Sequence, residues 1–148
     1  MIYLDTSAFL KLYIREADSK LVAECVESQD EPLPVWDLLE AELINALRLK
    51  TFWGDITPEQ ADGQIELFAA RKKRGLYFVP DIDRIALMDN FRDLCANTPR
   101  LGCRTMDIMH VACAKRLAAQ MFITFDERQR KLARTAGLAV FPESKDFG

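Results

Sequence analysis

The sequence Ile2-Tyr3-Leu4-Asp5-Thr6-Ser7 places a carboxylate directly after a short apolar run. The same arrangement returns near the other end of the chain, where Met121-Phe122-Ile123 is followed by Thr124-Phe125-Asp126. Each apolar run predicts a short buried strand, and a helical pattern follows each one. Both acids are therefore expected at the carboxyl ends of strands, where open α/β sheets place their chemistry.

Strand and helix patterns alternate along the rest of the chain. Thr57, Pro58 and Gln60 form a strong helix-start signal, and Gly75 and Gly137 are typical of residues that end a helix. This alternation predicts a parallel sheet with helices on both faces, although a pair of helices between 57 and 97 interrupts it. Strands are predicted at 2–4, 33–36, 76–79, 121–125 and 138–141. Helices are predicted at 7–15, from 18 or 19 onward, and at 37–52, 57–74, 83–96, 105–119 and 126–136.

Length and composition indicate one globular domain, residues 1–148, that is large enough to bury a core. The chain is 49% hydrophobic and 29% charged, which is ordinary for a globular protein. No stretch reaches the roughly 18 apolar residues of a membrane span. The first residues lack the basic and apolar regions of a signal peptide, so a cytoplasmic location is expected.

The cysteines and the single histidine match no zinc-binding spacing. Three cysteines fall within apolar helical patterns and are expected to be small buried hydrophobes rather than disulfide partners. A hydrolase with a Ser-His-Asp or Cys-His site would depend on His110 alone, and no nucleophile motif accompanies it. A structural role for His110, hydrogen-bonded inside a helix-packed layer, is favoured over a metal-ligand role. The cysteines are Cys25, Cys95, Cys103 and Cys113.

The net charge of −3 neither supports nor excludes a nucleic acid partner. If four of the 23 acidic residues bind metal, 19 acidic and 20 basic residues remain, which is a net charge of +1. The basic run Arg71–Arg74 is most simply a solvated helix end. Four basic residues follow Asp126 on its helix and are placed to meet phosphates, and a solvated surface explains them equally well. They are Arg128, Arg130, Lys131 and Arg134.

Two more acids, Glu42 and Asp107, lie on predicted helices. Taken alone, each candidate acid has an ordinary explanation. Asp5 and Asp126 are good helix N-caps, and Asp107 complements the dipole of its helix. A single helical glutamate is usually solvated, but Glu42 shares a largely apolar segment with Asn45, which suggests a polar pocket. The helix of Asp107 is apolar on nearly every face, so this carboxylate needs a partner, either a metal or a basic side chain such as Arg104 or Lys115.

Four segments, taken together and in order, resemble PIN-domain ribonucleases, and within that family the VapC-type toxins of toxin–antitoxin pairs. The resemblance spans nearly the whole chain. The stretch 102–106 fits more loosely, with Cys103 at a place that is usually aliphatic. The segments are Asp5-Thr6-Ser7, Glu42-Leu43-Ile44-Asn45-Ala46-Leu47, Asp107-Ile108-Met109-His110-Val111-Ala112 and Thr124-Phe125-Asp126.

The resemblance implies a three-layer α/β/α sandwich with a mostly parallel sheet in the strand order 3-2-1-4-5. It also implies an RNA substrate, a homodimer and a cognate antitoxin whose tail occupies the acidic cleft. The family's acidic quartet falls on four residues of this chain, with three hydroxyl side chains in support. The acids are Asp5, Glu42, Asp107 and Asp126, and the supporting residues are Thr6, Ser7 and Thr124.

Ligands that offer only oxygen suit Mg²⁺ or Mn²⁺ rather than zinc. Four carboxylates would hold two ions, which together clamp an in-line displacement at phosphorus. Asp5 and Asp126 are expected to be direct ligands, and Asp107 a ligand or the holder of a metal-bound water. Glu42 is expected to bind the second ion or to accept a proton from the attacking water.

Three alternatives remain at the level of sequence. A response-regulator receiver would need paired acids after the first strand, and Asp5 has no acidic neighbour, although Asp81 follows the third strand. A haloacid-dehalogenase-type phosphatase would need a second aspartate at position 7, which is Ser7. A PIN-like module that only binds RNA or protein would keep the same fold without the cleavage.

Overall fold

The computed structural model describes residues 1–143 and contains parallel strands connected by helices. The strands are β1 (Ile2–Leu4), β2 (Leu33–Pro34), β3 (Tyr77–Phe78), β4 (Met121–Ile123) and β5 (Val140–Phe141). The helices are α1 (Thr6–Leu10), α2 (Ser19–Glu27), α3 (Asp37–Phe52), α4 (Pro58–Lys73), α5 (Arg84–Cys95), α6 (Thr98–Leu101), α7 (Thr105–Arg116) and α8 (Glu127–Thr135).

The chain divides into two compact units. The first unit contains residues 1–7 together with the stretch from Pro80 onward, and the second contains residues 8–79. The boundary at residue 7 falls within α1. The organisation of residues 1–148 as one domain stays a prediction.

The first unit is built on a parallel sheet in the order β1-β4-β5. Tyr3 in β1 is paired with Phe122 in β4, and their rings stack with centroids 5.5 Å apart. Both side chains are fully buried, so the two strands contribute aromatic area as well as ladder hydrogen bonds. Helix α7 packs against α5 and α8. This sheet places the carboxyl ends of β1 and β4, and thus Asp5 and Thr124, next to each other.

The second unit pairs β2 with β3 in parallel and packs α3 against α4. A buried aromatic cluster of Phe9, Tyr13, Phe68 and Tyr77 forms its centre, with ring centroids 5.2 to 6.3 Å apart. The Tyr13 and Tyr77 hydroxyls share a short hydrogen bond, and burial raises the pKa of Tyr13. Edge-to-face contacts of this kind add about 0.5–1.5 kcal/mol per pair to the area buried.

The local start and stop signals are confirmed where their residues are specific. Thr57 accepts a hydrogen bond from the backbone N–H of Gln60, whose side chain accepts one in return, so the predicted capping box is present. Gly137 follows α8 with a φ of 86°, a conformation that glycine adopts at no steric cost. The hydrogen bonds of Gly137 and Leu138 back to Arg134 and Ala133 complete a Schellman ending.

Several sequence predictions need correction. Hydrophobic spacing on α5 predicts one apolar stripe of Ile85, Met88, Phe91 and Leu94. Leu94 is buried, but Ile85 and Met88 are 78% and 37% exposed, and Leu87 is buried in their place. The packing of α5 against α7 selects this face. Helix α6 was not predicted, and α1 ends at Leu10 rather than near residue 15. The predicted strands other than β1 are shorter than expected, by two residues each.

The described residues contain no disulfide, since all four cysteines are free thiols. Cys103 and Cys113 are buried, whereas Cys25 and Cys95 are half-buried. Within residues 1–143, no helix is both long enough and apolar enough to cross a membrane.

Candidate active site

Asp5 is a buried carboxylate at the end of β1, with 3% of its surface exposed. Its backbone N–H donates to the carbonyl of Ile123, which extends the ladder with β4 by one residue. Its Oδ1 atom accepts a hydrogen bond from the Ser7 hydroxyl at 2.8 Å, and its Oδ2 atom accepts one from the Thr124 hydroxyl at 2.7 Å. Two of the three predicted supporting hydroxyls, those of Ser7 and Thr124, therefore contact the two carboxylate oxygens of Asp5.

Thr124 links the two strand ends that carry the acids. Its hydroxyl also accepts a hydrogen bond from the backbone N–H of Asp126 at 3.1 Å and lies 2.8 Å from the Oε1 atom of Gln129. A hydroxyl group has a single proton, so Thr124 donates to either Asp5 or Gln129 at one time. Thr124 is fully buried, so these hydrogen bonds lie in a low-dielectric environment that strengthens them.

Gln129 is a site residue that the sequence reasoning missed. It is 1% exposed, and its Nε2 atom donates to the backbone carbonyl of Asp107 at 3.2 Å. Its backbone N–H donates to the Oδ1 atom of Asp126, which is the N-cap of α8. Gln129 therefore connects the segments that carry Asp126, Asp107 and, through Thr124, Asp5. The signal was present, because Asp126-x-x-Gln129 has the spacing of a capping box.

Asp107 and Asp126 line a cavity of about 280 Å³ together with four other residues. Asp107 lies in the first turn of α7, and Asp126 precedes the first turn of α8. Both carboxylates are only partly exposed. The remaining wall residues are Gly102, Arg104, Glu127 and Arg128.

The charges on this wall are not balanced. Burial, and next the negative charge of Asp126, raise the pKa of the Asp107 carboxyl, against the opposing effect of Arg104. The Nε atom of Arg104 lies 3.7 Å from Asp107 Oδ2, but the Arg104 side chain is 85% exposed, so this ion pair is weak. The two carboxylates thus repel each other, and Arg104 offsets this repulsion only weakly, an arrangement that favours a bound cation.

The fit to a metal rests on this pair. Within residues 1–143, no group of three or more His, Cys, Asp or Glu side chains is arranged to hold a metal ion. Mg²⁺ commonly takes only one or two carboxylates and keeps several waters, so Asp107 and Asp126 alone form an adequate donor set. Their oxygen atoms match the preference of Mg²⁺ and Mn²⁺. The larger site that also includes Asp5 and Glu42 stays a prediction.

Glu42 lies in α3 of the second unit and is half-buried. Leu39, Leu43 and Leu47 form the buried face of this helix. Asn45 is exposed, so the polar pocket predicted for Glu42 and Asn45 is not formed by these two side chains. The catalytic role of Glu42 stays a prediction.

His110 is buried in α7, one turn after Asp107, and both ring nitrogens contact hydroxyl groups. Nδ1 lies 2.7 Å from the Tyr3 hydroxyl, and Nε2 lies 3.2 Å from Thr6 Oγ1. The predicted structural role agrees with this geometry. Tyr3 lies two residues before Asp5, and Thr6 directly follows it. His110 therefore connects the chain on both sides of Asp5 to the helix of Asp107.

Of the four basic residues expected to flank the acids, Arg128 alone lines the cavity. Arg130 is fully buried instead. Its Nη2 atom donates to the carbonyl of Thr124 at 3.1 Å, and its Nη1 atom lies 3.4 Å from Glu127 Oε2. Lys131 and Arg134 are exposed on α8. Of these four residues, only Arg128 therefore remains a candidate for contact with a phosphate. Arg104, at the start of α7, also lines the cavity and is a second candidate.

Comparison with known proteins decides the family. A family model described as PIN domain matches residues 2–135, which is about nine-tenths of the chain. The chain belongs to the PIN domain family. The predicted resemblance is thereby confirmed, and it replaces the receiver and phosphatase alternatives.

Relatives of this PIN domain chain include ribonuclease VapC46 of Mycobacterium tuberculosis, which is 28% identical over 145 residues. That match covers 97% of this chain and 98% of VapC46. Ribonuclease VapC35 of the same species is also 28% identical, over 95% of each chain. The VapC-type resemblance is therefore confirmed at the level of sequence.

Solved structures confirm the PIN-like α/β/α fold. VapC20 of Mycobacterium tuberculosis, described as a toxin that cleaves the Sarcin-Ricin loop, superposes with a TM-score of 0.69 at 16% identity, over 94% of this chain and 97% of that one. VapBC2 from Rickettsia felis was solved bound to a DNA fragment from its promoter. It superposes with a TM-score of 0.65 at 16% identity, over 95% of this chain and 97% of that one. The β1-β4-β5 and β2-β3 pairings are both parts of the predicted order 3-2-1-4-5.

Proposed function

We propose that this protein is a Mg²⁺- or Mn²⁺-dependent endoribonuclease and the toxin of a toxin–antitoxin pair. The observation that carries the proposal is the pair Asp107 and Asp126, two mutually repelling carboxylates on the wall of one cavity in a PIN domain. The full-length similarity to ribonuclease VapC46 supports the same reaction class.

The residues have distinct roles in the proposed reaction. When bound, a divalent ion lowers the pKa of a water molecule and offsets negative charge on the phosphodiester. Asp107 and Asp126 would hold this ion, because both residues line the cavity. Asp5 is proposed as a further ligand, and the hydroxyls of Ser7 and Thr124 fix its orientation. Held groups of this kind keep the reacting geometry without reorganisation.

Glu42 is proposed to bind a second ion or to accept a proton from the attacking water. Glu42 lies on α3 and is half-buried. The variant Glu42→Gln keeps the size of the side chain and removes its charge. A loss of cleavage in this variant, with an unchanged melting temperature, is the expected result.

A cleavage assay with purified protein and fluorescent RNA tests the proposal. Cleavage is expected with Mg²⁺ or Mn²⁺ and is lost with EDTA. Asp5→Asn and Asp126→Asn are expected to abolish cleavage while the circular dichroism spectrum stays that of the folded protein. Asp81→Asn, which changes an exposed aspartate after β3, is the matched control and should retain full activity.

Two results would contradict the proposal. Cleavage that persists in EDTA would remove the metal from the reaction, and full activity of Asp5→Asn would remove Asp5 from the centre.

The toxin assignment has a separate test in bacteria. The structural neighbours include the assembly named VapBC2, which supports a cognate antitoxin partner for this chain. A homodimer is proposed from the family resemblance alone. Expression alone is expected to arrest growth, and co-expression with the product of the adjacent small open reading frame is expected to relieve it. Normal growth on expression of active protein alone would contradict the toxin role.

A second candidate is a catalytically silent PIN module that only binds RNA or protein. One observation favours it, because residues 1–143 contain no three-residue group that could hold a metal. The same assay separates the two candidates. RNA binding without metal-dependent cleavage would select the silent module.

A further inference from the structure

The cavity that contains Asp107 and Asp126 has an arginine on each of two walls. Arg104 is the N-cap residue of α7, and Arg128 lies in the first turn of α8. We propose that these two arginines bind the phosphates on either side of the cleaved phosphodiester in a single-stranded RNA. This inference rests on the proposed function and assigns the residues that hold the substrate backbone.

Both guanidinium groups are available for a ligand. Arg104 is 85% exposed and makes an ion pair with Asp107 at 3.7 Å, near the limit of such contacts. The Nη1 atom of Arg128 donates to the carbonyl of Gly102 at 3.5 Å, again at the limit of a hydrogen bond. A guanidinium has five N–H donors in a planar fork, so neither contact uses more than a small part of its capacity. The fork matches two oxygens of a phosphate.

The size of the cavity selects the part of the RNA that enters. At about 280 Å³ it lies below the range of roughly 300–1,000 Å³ for pockets that enclose drug-sized ligands. It accommodates one phosphodiester with its waters rather than a base pair or a folded helix. The chain of a single strand can pass one phosphate into such a cavity and leave its neighbours at the rim, where exposed arginine side chains reach them.

The sign of the charges assigns different positions to the phosphates. Asp107, Asp126 and Glu127 are three acids on the wall, and Glu127 is paired with Arg130 at 3.4 Å. A phosphate next to the two aspartates is repelled unless a cation lies between them. Phosphates at the rim can bind Arg104 and Arg128 without an intervening metal ion. The arginines therefore contribute to RNA binding even in the absence of metal.

The chain supplies a matched control for each arginine. Arg116 is exposed at the far end of α7, about 18 Å from Arg104 by the rise of 1.5 Å per residue. Arg134 is exposed near the end of α8, about 9 Å along that helix from Arg128. Each control removes the same charge from the same helix, and neither residue lines the cavity.

The test is fluorescence anisotropy with a short labelled single-stranded RNA in EDTA, over a range of salt concentrations. Each contact with a phosphate of a single strand contributes about 0.7 to the slope of log Kd against log salt. Arg104→Ala and Arg128→Ala are each expected to reduce the slope by about that amount and to weaken binding several-fold at low salt. Arg116→Ala and Arg134→Ala should leave the slope unchanged. Arg128→Lys should keep the slope, because it keeps the charge.

Three outcomes would overturn the assignment. They are equal effects of the cavity and control variants, an unchanged slope in Arg104→Ala and Arg128→Ala, and no measurable RNA binding by the wild-type protein at low salt. Melting temperatures of the variants check that these exposed substitutions leave the fold intact. Because anisotropy in EDTA does not depend on cleavage, active protein with unaffected slopes rejects only the arginine assignment. Inactive protein with reduced slopes rejects only the nuclease.

Discussion

The hydroxyl of Thr124 donates a hydrogen bond to the Oδ2 atom of Asp5 across the β1–β4 ladder, at 2.7 Å. This contact joins the ends of two strands that are 119 residues apart in sequence. It fixes a buried carboxylate that Ser7 holds from the other side. The strand pairing and the orientation of the acid are therefore parts of one structure.

Thr124→Val keeps the shape of this side chain and removes its hydroxyl. We expect cleavage to fall by about 10–100-fold, as when residues that orient metal ligands are removed. The free energy of unfolding should fall by about 1–3 kcal/mol, because Asp5 loses a buried hydrogen-bond donor. The measurements are cleavage rates with Mg²⁺ and urea denaturation. Thr135→Val, which removes an exposed hydroxyl on α8, is the control and should change neither.

Asp107→Asn is expected to stabilise the metal-free protein at neutral pH and to impair cleavage. Burial and the charge of Asp126 raise the pKa of Asp107, so the folded state binds a proton here more readily than the unfolded state. The wild type is therefore penalised at neutral pH, and the penalty disappears as the pH falls below the ordinary aspartate range. The gain in free energy of unfolding from Asp107→Asn should therefore shrink as the pH falls from neutral to below the ordinary aspartate pKa, in denaturation experiments with EDTA. An equal gain in stability at neutral and at acidic pH would contradict the assigned cause. Asp93→Asn, at an exposed position on α5, is the control.

Mg²⁺ or Mn²⁺ is expected to raise the melting temperature of the wild-type protein. A ligand that binds only the folded state adds about 2.7 kcal/mol when its concentration is one hundred times Kd. Asp107→Asn and Asp126→Asn should lose most of this shift, whereas Asp93→Asn should keep it. Thermal unfolding with increasing metal measures the effect. A melting temperature that ignores both ions at millimolar levels would count against the carboxylate pair as a metal site.

Tyr3 and His110 are expected to be energetically coupled. Each substitution removes the buried hydrogen bond between the two side chains, so Tyr3→Phe and His110→Leu should each cost about 0.5–1.5 kcal/mol. The double variant should cost less than the sum, with a coupling energy of about 0.5–3 kcal/mol. Urea denaturation of the four proteins provides the cycle. Tyr3→Phe combined with Thr135→Val should be additive, and additivity of Tyr3→Phe with His110→Leu would contradict the coupling.

The sequence predicted the elements whose signals are local. The apolar runs before Asp5 and Asp126 gave β1 and β4, and the residues around Thr57 gave the start of α4 with its capping box. Hydrophobic spacing alone was insufficient on α5. Two faces of this helix carry apolar residues, and contact with α7 buries Leu87 and Leu94 while Ile85 stays in solvent.

The candidate site shows the same limit. Asp107 and Asp126 could be selected as acids at element ends, and the structure places both on one cavity wall. The capping-box spacing indicated a local role for Gln129, but it did not predict the burial of Gln129 or Arg130, whose side chains donate to the backbone carbonyls of Asp107 and Thr124. Every residue has a backbone carbonyl, so the sequence does not mark which carbonyls accept a side-chain hydrogen bond. Only the three-dimensional approach of α7, β4 and α8 reveals which of them need a donor.

The single proton of Thr124 has a consequence for communication within the first unit. Rotation about one side-chain bond moves that proton from Asp5 to Gln129, which itself grips the α7 carbonyl at Asp107. A cation that displaced Thr124 from Asp5 Oδ2 would leave that proton for Gln129 on α8. Binding at Asp5, after β1, would thus change the hydrogen bonds of α7 and α8 through side chains alone, without a shift of the backbone.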